Sequence, residues 1–140
     1  MPIKYPPLPG TILRCDFNSF KEPEMSKVRP IIVLSPKIKN TIRNTILVVP
    51  LSTTAPKPIC KYHLQVSLPG DILPKGLQRE CWVKGDMIYA LSLERLSMYH
   101  FDRDKISGKR AYYECRFLGQ ELHDIRKAVM HAVGIHLPEP

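Results

Sequence analysis

The sequence has no uninterrupted apolar run of about 18 residues, which is the length that a membrane-spanning helix needs. Residues 1–7 also lack the apolar segment of a secretory signal peptide. These two absences predict a protein that acts in the cytoplasm, with no membrane partner.

Patterns of metal-ligating or disulfide-forming residues are missing as well. The four cysteines are widely spaced without a C-x-x-C pair, and the five histidines form no H-E-x-x-H motif or other ligand spacing. We therefore predict no metal and no cofactor, and we expect the cysteines to be reduced structural thiols.

Acidic residues are few compared with basic ones. The chain has 13 Asp and Glu against 21 Lys and Arg, which gives a net charge of +8 and a pI near 9.5. Such a balance favours polyanionic partners, and RNA, DNA, an acidic protein segment and an anionic membrane surface all fit it. Many basic proteins also carry this charge for no specific reason.

The hydrophobic pattern predicts a mainly β fold. At 140 residues the chain fits a single domain, 1–140. Short β-branched or alternating runs separated by turn residues predict strands at 10–17, 30–36, 45–50, 62–68 and 81–91. About five strands of this length are typical of a small antiparallel barrel or sandwich.

Two details of the pattern are specific enough to test. Ile12, Arg14 and Asp16 should lie on one face of the first strand, with the intervening apolar residues on the other, and 30–36 should be buried on both faces. Near the C-terminus, apolar residues recur at helical spacing, which predicts one helix over 119–134 that Gly134 ends.

Two sequence blocks carry a family resemblance. The block K-V-R-P-I-I-V-L-S-P at 27–36 follows a charged loop that contains Glu24, and V-V-P-L-S-T follows at 48–53. In this order and spacing the blocks resemble the PemK/MazF toxins, over roughly residues 8 to 135. The resemblance implies a small SH3-like antiparallel barrel of the CcdB/MazF type with a C-terminal helix. It also implies a homodimer that cleaves single-stranded RNA at short sequences without a metal, and an acidic antitoxin that occupies the RNA groove.

The resemblance assigns catalytic roles to Arg29 and Ser52. Metal-free RNA cleavage gathers charge on the non-bridging phosphate oxygens, and the planar guanidinium of Arg29 suits those oxygens. Ser52 falls where the family keeps a catalytic Thr or Ser, and Thr53 and Thr54 would extend this polar edge along the RNA. Without the resemblance, Arg29 would be a surface arginine and Ser52 the end of a strand.

Acid–base chemistry is harder to assign from the sequence. Asp86 matches a family aspartate beside the active site, and Lys84 stands where some members have arginine. No histidine precedes Tyr62, although some members use one in the first loop. The acid–base pair is therefore expected among Arg29, Asp86, Glu24 and Lys84. A solvated Lys84 and a structural Glu24 fit the sequence equally well.

Loop lysines complete the predicted RNA-binding set. Lys27 and Lys57 would contact phosphates, although solvated lysines have the same appearance in a sequence. Two other functions remain open: a gyrase inhibitor, since the same barrel serves toxins that bind DNA gyrase, and an RNA- or protein-binding barrel without activity. Retention of Arg29 with Ser52 favours the ribonuclease.

Overall fold

Seven strands and one helix make up the regular structure in the described part of the computed structural model, which comprises residues 3, 6–21, 27–36 and 45–136. A 3-10 turn at Leu93–Arg95 separates the last two strands. The elements are β1 Ile12–Asp16, β2 Val28–Val33, β3 Thr45–Ser52, β4 His63–Ser67, β5 Glu80–Lys84, β6 Tyr89–Ser92, β7 Leu96–Ser97 and α1 Gly119–Ala132.

Five of the strands form a barrel. They are hydrogen-bonded in the order β7-β1-β2-β3-β6, and every neighbouring pair is antiparallel. The 3-10 turn joins β6 to β7 directly, so it brings the two ends of this sheet together. Ser92 begins the turn, and its side-chain oxygen accepts a hydrogen bond from the Glu94 N–H at 3.2 Å.

The inner face of the barrel is apolar, as the alternation of the first strand predicts. Leu13, Cys15 and Phe17 are at most 1% exposed and pack against residues of β2, β3, β6 and β7. Ile32 has 0% exposure as well but belongs to the core on the other face of the sheet. The prediction that 30–36 is buried on both faces is therefore confirmed for the centre of β2.

β3 continues beyond the barrel and takes part in a second, three-stranded sheet. Its end pairs with β5, which in turn pairs with the edge strand β4. The second core lies on one face of this sheet, under α1 and the segment at 99–117. Its fully or largely buried members include Leu51, Cys81, Val83, Tyr99, Tyr113, Phe117, Leu122 and Ile125.

Several boundaries differ from the sequence prediction: β2 covers Val28–Val33 where 30–36 was expected, and β7 was not predicted. The run at 81–91 is not one strand, because a turn at Gly85 and Asp86 divides it into β5 and β6. α1 begins at Gly119 as expected but ends at Ala132, and Gly134 follows with a φ of +86°. Within the part of the chain that the structure describes, no helix is long and apolar enough to cross a membrane.

Candidate active site

The strand register brings Arg29 and Ser52 to one place on the sheet. The ladder between β2 and β3 pairs Ile31 with Pro50, and continued by two residues it sets Arg29 opposite Ser52. β2 is still a strand at that point, since Arg29 pairs with Cys15 on its other side. Each of the two residues lies two positions from a paired residue, so alternation places both side chains on the face of the sheet that carries Ile31.

The row continues from Ser52 into the second sheet. Ser52 pairs with Trp82 on β5, and Trp82 pairs with Gln65 on β4. The intervening Leu51 and Val83 are fully buried on the opposite face. Ser52, Trp82 and Gln65 therefore form one row on the face away from α1. Extending the β2–β3 ladder by two residues adds Arg29 to it, and the four residues are here called the cross-strand row.

The hydroxyl of Ser52 is held by the turn that follows β3. Its oxygen accepts a hydrogen bond from the Thr54 N–H at 3.2 Å and lies 3.5 Å from the Thr54 carbonyl oxygen. The hydroxyl donates its proton to that carbonyl over a long distance, and a ligand oxygen that came closer would replace this weak contact. Thr53 and Thr54 are both exposed beside it.

Arg29 lies half-buried at the end of the barrel. It is close enough to Tyr99 for their charges to interact: burial raises the pKa of Tyr99, and the positive charges of Arg14 and Arg29 partly oppose that rise.

Lys84 is the last residue of β5, and Asp86 follows it by two residues. Lys84 has the same orientation as Trp82, two residues before it, and pairs with His63 on β4. Asp86 is exposed in the following turn, and its Oδ1 lies 3.8 Å from Nε2 of His63. The structure therefore brings a lysine, a carboxylate and an imidazole together beside the cross-strand row.

His63 is a site residue that the sequence analysis missed. Its side chain is only 8% exposed, and Nδ1 accepts a hydrogen bond from the Cys60 N–H at 2.9 Å. In this arrangement the neutral ring carries its proton on Nε2, the atom that faces Asp86. The alternation at 62–68 predicts the strand that carries His63. The position of His63 beside Lys84 depends also on the pairing of that strand with 80–84.

Gly85 fixes the turn that carries Asp86. Its N–H donates to the Tyr62 carbonyl at 2.9 Å, and a Cβ added here would lie 2.5 Å from that oxygen and 3.3 Å from the backbone of Ala128 in α1. The helix thus presses the turn against the start of β4. Packing on the far side of the sheet therefore positions Lys84 and Asp86.

The remaining predicted site residues are Lys27, Lys57 and Glu24. Lys27 is exposed immediately before β2 with a φ of +68°, and its carbonyl accepts a hydrogen bond from the Phe17 N–H at 2.8 Å. Lys57 is exposed in the loop between β3 and β4. Glu24 lies outside the described residues. Within the described ranges, no three His, Cys, Asp or Glu side chains are grouped as metal ligands.

Solved structures with a similar fold exist. An endoribonuclease in complex with its cognate antitoxin from a mycobacterial species superposes with a TM-score of 0.62 at 20% identity, covering 95% of this chain and 100% of that one. MazF from Deinococcus radiodurans gives a TM-score of 0.60 at 20% identity, covering 94% and 100%. At such identities the likeness establishes the fold, which confirms the predicted mainly β architecture with its C-terminal helix.

Sequence comparison establishes the family. The chain is 26% identical over 153 residues to the uncharacterized protein YifN of Escherichia coli (strain K12), with 96% of each chain covered. The sequence model of the PemK-like, MazF-like toxins matches residues 8–108, which include every residue of the site described above. The chain therefore belongs to the PemK-like, MazF-like toxin family of type II toxin–antitoxin systems.

Proposed function

We propose that this chain is the toxin of a type II toxin–antitoxin pair, a sequence-specific endoribonuclease that cleaves single-stranded RNA without a metal ion. The observation that carries the proposal is that Arg29 and Ser52, each two residues beyond the paired Ile31 and Pro50, share one face of neighbouring strands. Solved structures of similar fold are named endoribonucleases, which supports the same activity here.

The reaction begins with attack of a ribose 2′-oxygen on the adjacent phosphorus. The 2′-hydroxyl loses its proton to a base, the bond to the 5′-oxygen breaks, and that oxygen takes a proton as it leaves. The products are a 2′,3′-cyclic phosphate and a 5′-hydroxyl. Arg29 would stabilise the charge that gathers on the non-bridging oxygens, and Ser52 would donate its hydroxyl proton to one of them.

Proton transfer is assigned to the groups beside the cross-strand row. Asp86 can accept a proton, with His63 holding its carboxylate, and Lys84 can act as a proton donor or as a point charge on the phosphate. Lys84 lies two residues from Trp82 along β5, which is roughly 7 Å in a strand. Lys84 and Ser52, on either side of Trp82, are therefore close enough to contact the same nucleotide. Glu24 remains a further candidate for this role.

The surroundings suit a single strand of RNA. Thr53, Thr54, Lys27 and Lys57 are all exposed, and a net charge of +8 attracts a polyanion. An acidic antitoxin would be attracted by the same charges, and one of the similar solved structures holds its cognate antitoxin. A cytoplasmic homodimer completes the proposal. Its mass is measurable by light scattering after gel filtration.

The decisive experiment incubates a long single-stranded RNA with the protein in EDTA and maps the product ends. We expect cuts at one short sequence with 2′,3′-cyclic phosphate ends. Ser52→Ala should lower the rate by about 100-fold, while Ser52→Thr keeps the hydroxyl and most of the activity. Arg29→Lys keeps the charge but loses the planar fork of the guanidinium, so its cleavage rate should also be well below that of the wild type.

Arg103→Lys is the matched control for Arg29→Lys, because Arg103 is exposed in the segment after β7, where its guanidinium donates to the Gly108 carbonyl at 3.1 Å. It should cleave at the wild-type rate. Intact RNA at high concentrations of folded wild-type protein would overturn the proposal. Assays of gyrase inhibition and of RNA binding would then test the two remaining functions.

A further inference from the structure

We propose that Trp82 and Gln65 form a base-binding subsite, in which the indole stacks on an adenine next to the scissile phosphate and the Gln65 amide binds the edge of that adenine. The inference rests on the proposed ribonuclease function, because it takes Arg29 and Ser52 as the phosphate end of the same row.

Trp82 is the only tryptophan of the chain and is half-buried on the face opposite the second core. Its neighbours Cys81 and Val83 have 1% and 0% exposure and point into that core. By alternation along β5 the indole lies on the other face, where Ser52 flanks it on one side and Gln65 on the other.

The spacing of the row fits one nucleotide. Neighbouring strands lie about 4.8 Å apart, so Ser52 and Gln65, two strands apart, are separated by about 10 Å. A nucleotide spans this distance from its phosphate to the far edge of its base. With the phosphate at Arg29 and Ser52, the base would cover Trp82 and its edge would reach Gln65.

Charges along β5 give the RNA backbone a direction. Lys84, on the same face as Trp82, attracts phosphates on one side of the indole. On the other side Glu80 repels them, and its carboxylate accepts a hydrogen bond from the Ser67 hydroxyl across the strand pair. The backbone therefore passes on the Lys84 side, and the base projects towards Trp82.

The chemistry of Gln65 selects the base. The side-chain amide offers one acceptor and two donors, and it forms two hydrogen bonds to adenine through the exocyclic amine and a ring nitrogen. A purine also stacks on an indole with a large overlap. Single-stranded RNA presents unstacked bases that aromatic side chains can hold in this way.

A protein partner fits this face less well than a base does. The residues that the register places around Trp82 are Ser52, Gln65, Glu80 and Lys84, and all four are polar. The centre of a protein interface is apolar and depleted of charged residues. One aromatic ring within a polar surround is the arrangement expected for a stacked base.

Because the chain has a single tryptophan, its fluorescence reports on Trp82 alone. The titrant is the mapped RNA target with a 2′-O-methyl group at the cut site, which blocks the attacking oxygen. We expect quenching on binding, and loss of quenching when an abasic nucleotide replaces one adenine beside the cut. Inorganic polyphosphate should leave the fluorescence unchanged. Unaltered fluorescence when labelled RNA is shown by anisotropy to bind would overturn the stacking.

Variants test the two contacts separately. Trp82→Leu should raise the Kd for RNA about tenfold, since one base stack is lost, and Trp82→Phe should raise it less. Gln65→Ala should abolish the preference for adenine over other bases at that position. Gln120→Ala is the matched control, because Gln120 is exposed on α1, across the sheet. Circular dichroism identifies folded variants, and Trp82→Phe remains available if Trp82→Leu unfolds.

The outcomes separate the subsite from the nuclease. If wild-type protein leaves RNA intact but an adenine still quenches Trp82, the subsite stands and the proposed reaction fails. If RNA is cleaved, and Trp82→Leu and Gln65→Ala keep the wild-type Kd and cut sites, the reaction stands and the subsite is wrong. Quenching by a protein partner alone, with no response to RNA, would also overturn the subsite.

Discussion

His63, the first residue of β4, faces Asp86 in the turn that follows β5, with Nε2 of the imidazole 3.8 Å from Oδ1 of the carboxylate. The other ring nitrogen is occupied by the Cys60 N–H. The ring is therefore held at Nδ1, while Nε2 faces a carboxylate whose side chain is 43% exposed, at a distance longer than a hydrogen bond. We expect His63 to act as a positioning residue for Asp86.

Two substitutions of His63 each keep one of its two contacts and remove the other. His63→Asn places an amide near the position of Nδ1 and can still accept from Cys60, whereas His63→Gln places one near Nε2 and can still reach Asp86. If Asp86 takes the proton, misplacing it should lower kcat by roughly 10-fold to 100-fold in His63→Asn, with KM little changed. His63→Gln should keep more of kcat. Equal kcat values in two folded variants would show that the contact with Asp86 is irrelevant to catalysis.

Backbone strain at Lys27 gives a second prediction. Its φ of +68° lies in the left-handed region, which costs a non-glycine residue about 1 to 2 kcal/mol. Lys27→Gly should therefore raise the free energy of unfolding by up to about 1 kcal/mol, after the entropy that glycine adds to the unfolded chain. Lys27→Ala keeps the strain and should not stabilise. Urea denaturation measures both.

The same pair of variants tests the charge of Lys27. Both substitutions remove one cation, so both should weaken RNA binding and reduce the slope of log Kd against log salt by about 0.7. If only one variant changed that slope, conformation rather than charge would explain the result. If neither did, Lys27 would not contact a phosphate.

Gly85 links the helix to the site, and its replacement provides a third prediction. The Cβ of Gly85→Ala would lie 2.5 Å from the Tyr62 carbonyl oxygen, and the backbone of Ala128 prevents the turn from moving aside. We expect a loss of about 1 to 3 kcal/mol in the free energy of unfolding. Gly108→Ala is the comparison, since no atom lies within 4 Å of its Cβ and only its φ of +71° opposes the change. A Gly85→Ala protein as stable as wild type would contradict the packing.

The sequence predicts the strands and the chemical candidates better than it predicts their neighbours. Alternation identifies the buried face of β1, and the proline-bounded block identifies β2, because both depend on local burial. The juxtaposition of His63 with Lys84 depends on the register between β4 and β5, which a loop of twelve residues separates. Division of the run at 81–91 depends on α1, since Gly85 must turn where Ala128 approaches. Such long-range packing leaves no local periodicity to detect.

Two buried thiols give a prediction about alkaline stability. Burial raises the pKa of Cys15 from 9.0 to about 12, partly opposed by Arg95, and that of Cys81 from 9.0 to about 11. Above pH 9 these thiols ionise in the unfolded chain but stay protonated in the native one. The unfolded state then binds fewer protons, so the free energy of unfolding falls as pH rises towards 11.

Urea denaturation in a reducing buffer tests this between pH 8 and 10. The free energy of unfolding should decrease over that interval for the wild type, and it should decrease less for Cys81→Ala, although this variant starts from a lower stability because of the cavity it leaves. Between pH 6 and 8 the two proteins should follow parallel curves, since neither thiol ionises in either state. Parallel curves from pH 8 to 10 as well would mean that Cys81 is accessible to solvent, and the core under α1 would then be less tightly packed than its 1% exposure indicates.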